Sequence, residues 1–212
     1  MKNVLELKQT KYLIYLFTKL RDKKTKMKEF RNYSEMIMQI LMNEVFNQLK
    51  LVDKAVFTGT GSKFNGLELN EKICGVSILR SGDSMEKAFM EFFPNASYGK
   101  ILIQRNEKDA KPVFFYSKLP KNLSDNTIIL LDPMLGTGGS ALTAIELLLK
   151  KGAKENKIIF CNLLSCKKGL NTIISKYKKV RIVTGVIDPI LNSKFYLVPG
   201  LGDFGDRYYG TE

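Results

Sequence analysis

The chain has 212 residues, 44% hydrophobic and 26% charged, with a formal net charge of +13, which fits one globular domain with a real core and an affinity for anions. It has no histidine and three cysteines, so a Ser-His-Asp triad, a Cys-His dyad and a histidine-ligated metal are excluded and no disulfide framework is expected. The opening "MKNVLELKQT" is charged from its second residue and does not read as a signal peptide. The apolar run "YLIYLF" (12–17) is too short to span a bilayer. A cytoplasmic protein with no membrane partner is expected. The lysines are dispersed, as in "RDKKTKMK", "LKKGAKENK" and "SKYKKVR", which reads as solvated helix faces. The aromatics show no RNP-like spacing, so nucleic acid is not the expected partner.

In chain order, "EFRNYSEMIMQILMNEVFNQL" (29–49) sets Phe30, Tyr33, Ile37, Ile40, Leu41 and Leu49 near helical spacing and predicts an amphipathic helix. "AVFTGT" reads as a short strand, followed by a Gly/Asn-rich connection, "GTGSKFNGLEL". "ICGVSIL" (73–79) is a continuous apolar run suited to a strand buried on both faces. It stops at "RSGDSM" and continues as a helix through Phe93, ended by Pro94. "KILIQR" and "PVFFYSKL" flank polar "NEKDAK", the pattern of a β-hairpin arm with Pro112 at a strand start.

From residue 127 strands and helices alternate: "TIILLD" a strand, 139–151 a helix, "KIIFCNLL" a strand, 168–177 a helix, "VRIVTGVI" a strand. That alternation implies βαβ units and a parallel sheet covered on both sides, an α/β Rossmann-like architecture. The tail "FYLVPGLGDFGDRYYGT" is rich in Gly, Asp and Tyr and reads as ordered loop. Ligands of open parallel sheets bind beyond the carboxyl ends of the strands. "LRSGDS" and "LDPMLGTGGS" are two such ends, and the tail could close over both.

Three devices compete for the glycine loop. A Walker A loop needs Lys-Ser/Thr after its last glycine, but Ser140 and Ala141 follow Gly139. The stretch Gly136 to Ala141 formally fits a dinucleotide fingerprint, which also needs an acid about 20 residues on. No Asp or Glu lies between Glu155 and Asp188, and only an NADP-type variant using Lys167 or Lys168 stays open. The third device places the acid, Asp132, before the glycines. Its carboxylate would take sugar hydroxyls, while the glycine backbone, Thr137, Ser140 and the N–H groups opening the next helix would take a 5′-phosphate.

The loop "DPMLGTGGSA" resembles the PRPP-binding loop of phosphoribosyltransferases, specifically of the uracil phosphoribosyltransferase family in its eukaryote-like branch. "TKLRDKKT", "TGSKFNG", "KICGVSILRSGDSME", "GKILIQR", "LLDPMLGTGGS" and "YLVPGLGDFGDRYYGT" resemble that family's blocks in order. The resemblance implies a type I phosphoribosyltransferase fold in a single domain over residues 1–212. Within it would lie an N-terminal helical segment (1–50), a hairpin arm (100–120) and a C-terminal hood (190–212) over the base. It also implies transfer of phosphoribose from PRPP to uracil, giving UMP and diphosphate.

By the same resemblance Arg80 and Arg105 hold the leaving diphosphate and Asp132 binds the ribose hydroxyls. Pro133, Met134, Leu135, Gly136, Thr137, Gly138, Gly139 and Ser140 cradle the 5′-phosphate. Gly136, Tyr196, Leu197, Gly202, Asp203 and Phe204 form the uracil pocket, with Asp203 also facing PRPP through Mg²⁺ and water. No dedicated metal cage is implied, because magnesium is held mainly by substrate phosphates and water. The family usually has alanine where this chain has Gly136, which bears on pocket size at uracil C5. A homodimer or homotetramer through the apolar arm "VFFY" is implied, and a GTP effector is compatible with the resemblance. No general base for uracil N1–H stands out. A non-catalytic regulator on the same fold would have only the +13 charge in its favour.

Overall fold

The computed structural model describes residues 2–105 and 112–211, with Arg105 described by its backbone alone. In chain order the elements are β1 (Val4–Glu6), α1 (Lys11–Arg21), α2 (Met27–Asn47), β2 (Leu51–Phe57), β3 (Lys63–Leu69), β4 (Lys72–Leu79), α3 (Glu86–Phe92), β5 (Ser97–Arg105) and β6 (Pro112–Lys118). They continue as β7 (Asn126–Leu131), β8 (Met134–Leu135), α4 (Gly139–Lys150), β9 (Ile158–Cys166), α5 (Lys167–Lys176), β10 (Arg181–Asp188), β11 (Ile190–Leu191), β12 (Leu197–Val198) and α6 (Phe204–Tyr209).

The main sheet runs β1-β10-β9-β7-β4-β5-β6, with β8 beside β9. Every pairing in it is parallel except β5 with β6. Parallel strands need helical crossovers, which cover both faces, and so their sequences are apolar throughout. All nine residues of β9 are buried, as are five of the six in β7. On one face α1, α2 and α3 bring Leu16, Phe30, Ile37, Leu41 and Phe89 to the sheet. On the other, α4 and α5 bring Ala144, Ile145, Leu148, Leu170 and Ile173. The expected doubly covered sheet is therefore present. Each fully buried Leu, Ile or Phe contributes about 1.5–3 kcal/mol, and cutting Leu41 back to Ala should cost about 2–5 kcal/mol.

Two features differ from the sequence-based expectation, and one helix of the expected N-terminal helical segment shows no clear periodicity. The run "YLIYLF" lies in the first half of α1, which is capped by Thr10, whose hydroxyl accepts the Leu13 N–H at 3.2 Å. Leu13, Leu16 and Phe17 are buried while Tyr12, Ile14 and Tyr15 are exposed, so apolar residues on both faces hid the amphipathic stripe. The glycine-rich stretch after β2 is half strand: β3 pairs with β2 over seven residues in a separate two-stranded sheet. The tail, expected as loop, contains β12, which pairs antiparallel with β11 just before it, and the short helix α6. Asp203 caps that helix at its start and left-handed Gly210 at its end. Six residues are too few for periodicity to show.

Strand order reverses between β4 and β7. From β7 the sheet grows towards β9 and β10, and from β4 towards β5 and β6. The carboxyl ends of this central pair form the crevice where ligands of such sheets bind.

Candidate active site

Beyond β7 the chain is laced along β9 before it turns. The Asp132 N–H donates to the Cys161 carbonyl at 3.3 Å, and the Pro133 carbonyl accepts the N–H groups of Leu163 and Leu164 at 3.0 Å each. Gly138 then takes φ +87°, a backbone that L side chains rarely adopt. A Cβ there would lie 3.0 Å from both the Gly169 carbonyl and Thr172 Cβ, and one on Gly169 would fall 2.4 Å from the Gly136 carbonyl. The turn is thus pressed against the first turn of α5. The Gly138 carbonyl accepts the Leu142 N–H at 2.9 Å, starting α4. The earlier N–H groups of α4 have no intrahelical partner and carry the positive end of its dipole.

Beyond β4, Arg80 to Gly82 approach the same loop. A Cβ on Gly82 would sit 2.3 Å from the Leu131 carbonyl, so only glycine lets the two strand ends meet this closely. The Arg80 guanidinium donates to Thr211 Oγ1 at 2.8 Å and to Asp206 Oδ1 at 2.7 Å, and it lies 5.6 Å from the Tyr209 ring centroid. The Thr211 hydroxyl and then Arg80 hold the Asp206 carboxyl below the usual carboxylate range.

The tail closes the third side. Gly200 and Gly202 take φ +62° and +86°, which bend the chain into α6. Phe204 is buried against Phe30, with ring centroids 5.4 Å apart. Asp203 Oδ1 accepts the Asp206 N–H at 3.0 Å. Phe195 holds φ +63° without being glycine, a strained conformation worth about 1–3 kcal/mol of the kind found at ligand clamps. Its carbonyl lies 3.5 Å from where a Gly136 Cβ would stand. These three walls enclose a cavity of about 410 Å³.

The uracil phosphoribosyltransferase family model matches residues 7–211. A uracil phosphoribosyltransferase of Lachancea kluyveri is 48% identical over 208 residues, 98% of this chain and 96% of that one. The chain belongs to the uracil phosphoribosyltransferase family. A solved structure of a protein from Aquifex aeolicus has 33% identity and a TM-score of 0.87, with 99% of each chain covered. An adenine phosphoribosyltransferase structure from Trypanosoma brucei, 13% identical with a TM-score of 0.62, covers 96% of this chain and 89% of its own. At that identity it speaks for the fold alone, a phosphoribosyltransferase fold.

Of the residues expected for a uracil phosphoribosyltransferase site, Arg80, Asp132, Met134, Gly136, Ser140, Tyr196, Leu197, Gly202, Asp203 and Phe204 all line this cavity. Pro133, Leu135, Thr137, Gly138 and Gly139 do not line it and instead build the loop behind it. The Arg105 side chain lies outside the described residues. Its backbone ends β5 and pairs with Pro112.

Ile78, Leu79, Ser81, Ile103, Lys194 and Phe195 also line the cavity, and sequence reasoning missed them. Ile78, Leu79 and Ile103 read as plain strand residues. Nothing in the identity of Phe195 announces a positive φ, since bulky residues rarely take one. Ser81 was the one findable member, a hydroxyl beside Arg80 in the same strand-end loop.

Among the described residues no group of three or more His, Cys, Asp or Glu could hold a metal. Two carboxylates, Asp132 and Asp203, do line the cavity. Hard oxygen donors in that number suit a magnesium ion whose other ligands are substrate oxygens and water. Among the described residues no helix is long and apolar enough to cross a membrane.

Proposed function

We propose that this cavity carries out the reaction the family's name denotes: uracil and PRPP give UMP and diphosphate. The carrying observation is that the Asp132–Ser140 loop, Arg80 and the tail loop open into one cavity of about 410 Å³.

Asp132 takes the ribose hydroxyls, and the turn from Pro133 to Ser140 with the start of α4 takes the 5′-phosphate. Arg80 and Arg105 take the diphosphate. The C1′–oxygen bond breaks with its electron pair leaving on diphosphate, uracil N1 bonds to C1′, and the N1 proton goes to solvent. Aligning the two reactants contributes about 7–11 kcal/mol, and the guanidinium of Arg80 stabilises charge where it develops. A magnesium ion, held by Asp203 through water and by the diphosphate, would neutralise the leaving group. None of these roles needs a histidine.

Uracil offers an N3–H between two carbonyls, an edge that backbone groups of the Leu197–Phe204 loop can match. Cytosine would leave buried groups unpaired, a stronger rejection than an apolar pocket gives.

The assembly belongs to the same reading. Phe114, Phe115 and Tyr116 are exposed on the β5–β6 arm, and Phe57, Phe64 and Leu67 on the β2–β3 hairpin. Apolar patches on projecting hairpins fit a homodimer or homotetramer, which light scattering on the eluted protein measures. The protein acts in the cytoplasm on small anions, which its net positive charge attracts. A GTP effect is tested by adding GTP to the same assay.

Chromatography of a mixture of uracil, PRPP, Mg²⁺ and enzyme should show UMP and diphosphate rising together. No turnover with any pyrimidine base would overturn the reading. Arg105→Ala should weaken PRPP turnover while leaving the circular dichroism spectrum intact, and wild-type kinetics would remove Arg105 from the site.

A further inference from the structure

Arg80 faces the cavity, but what sets its side chain lies outside it. Asp206 stands on the far side of the tail and lines a separate groove with Arg21, Lys23 and Arg207. Its Oδ1 accepts the Arg80 guanidinium at 2.7 Å and the Thr211 hydroxyl at 2.7 Å. The Thr211 oxygen in turn accepts the other terminal nitrogen of Arg80 at 2.8 Å. Two of the five guanidinium N–H donors are thereby committed to the tail. The side chain of Arg80 remains half exposed, with three donors left for a ligand.

Gly205, the residue before Asp206, packs against the same guanidinium. A Cβ there would stand 2.8 Å from Arg80 Nη2 and 2.9 Å from Ser81 Oγ, so the guanidinium rests directly on the backbone of α6. The helix is capped by Asp203, a wall of the cavity, whose carboxylate accepts the Asp206 N–H at 3.0 Å. One helical turn therefore connects the cavity wall to the arginine.

We propose that Asp206 is a positioning residue, which with Thr211 and the bare face of Gly205 holds Arg80 ready for the diphosphate of PRPP. The proposal rests on the reading of Arg80 given under Proposed function. Arginine has a long side chain whose freedom must otherwise be frozen as the ligand binds, and pre-ordering removes that cost. The bidentate hold of Asp206 and Thr211 also fixes the plane of the guanidinium, which decides how its remaining donors meet an oxyanion.

Steady-state kinetics of four variants test this. Asp206→Asn should raise KM for PRPP by on the order of tenfold, with kcat and KM for uracil changed far less. Gly205→Ala keeps Asp206 and favours the helix, yet its methyl pushes the guanidinium off the tail. It should raise KM for PRPP likewise, with no loss in melting temperature. Arg80→Ala should raise KM for PRPP more than either. The double variant with Asp206→Asn should match Arg80→Ala alone, since Asp206 then has nothing to hold.

If Asp206→Asn and Gly205→Ala leave KM for PRPP unchanged while Arg80→Ala raises it, the positioning role is wrong. The same holds if the two substitutions multiply independently in the double variant. If Arg80→Ala itself leaves PRPP kinetics unchanged, the assignment of Arg80 falls first, and this proposal falls with it.

Discussion

Asp188, the last residue of β10, accepts hydrogen bonds from both terminal nitrogens of Arg21, the last residue of α1, at 2.6 and 3.0 Å. The same carboxylate accepts the Gly200 N–H at 2.8 Å, and Arg21 donates to the Gly200 carbonyl at 2.8 Å. Asp188 is only 3% exposed. One buried ion pair thus fixes the N-terminal helix, the end of the sheet and the tail loop that lines the cavity. Arg207 repeats the device, donating to the carbonyls of Leu20, Leu201 and Asp22 while lying 4.3 Å over the Phe30 ring.

Removing one partner of such a pair leaves an uncompensated buried charge, a loss of about 3–5 kcal/mol. Asp188→Ala, which strands Arg21 and the Gly200 N–H, should lower denaturant stability by that order. It should also raise KM for uracil, because the Gly200–Gly202 turn loses its anchor. An unchanged denaturation midpoint would show that the pair stabilises nothing.

Two glycines of the turn between Asp132 and α4 should respond in opposite ways to alanine. Gly138 has a positive φ and no room, so Gly138→Ala should lose at least the ~1–2 kcal/mol of a left-handed alanine and weaken PRPP binding. At Gly136 a Cβ would meet only ordinary contacts, at 3.5 Å from the Phe195 carbonyl and 3.7 Å from Leu191 Cδ2. Gly136→Ala should fold normally and gain about 0.4–1 kcal/mol by restricting the unfolded chain. It should also narrow the tolerance for groups at uracil C5. Thermal melts of both variants, with kinetics on 5-substituted uracils, measure the contrast.

The doubly covered parallel sheet was legible because β4, β7 and β9 carry apolar runs broken at polar, glycine-bearing strand ends, and those breaks are the site. Asp132 before the glycines, rather than after them, argues in the sequence for a sugar phosphate over a dinucleotide. That the tail closes over the two strand ends was legible, but its structure was not. Its helix is six residues long, and what stabilises it is Arg21, Asp188 and Arg207, residues distant in sequence whose pairing no local pattern reveals. β3 was hidden for a related reason. A strand exposed along most of its length lacks the alternation that marks a half-buried one. Phe195 entered the cavity through a backbone angle that its side chain disfavours, which only coordinates can show.

The docking of the tail should also respond to alkaline pH. Burial first, then the charge of Asp83, pushes the Tyr209 phenol up to about 12. A phenol with a higher pKa folded than unfolded lends full stability below its ordinary value of about 10. That contribution is lost as pH rises from there through about 12. Urea denaturation between pH 9 and 12 should show the wild type losing stability faster than Tyr209→Phe, which cannot ionise. A constant difference between the two across that range would contradict this.

The most direct test of the central claim is the initial rate of UMP formation from uracil and PRPP with Mg²⁺, wild type against Asp132→Asn. The wild type should form UMP and diphosphate in equal amounts, and Asp132→Asn should lose most of that rate with its fold intact. A wild-type rate in Asp132→Asn, or no UMP from the wild type, would contradict the account.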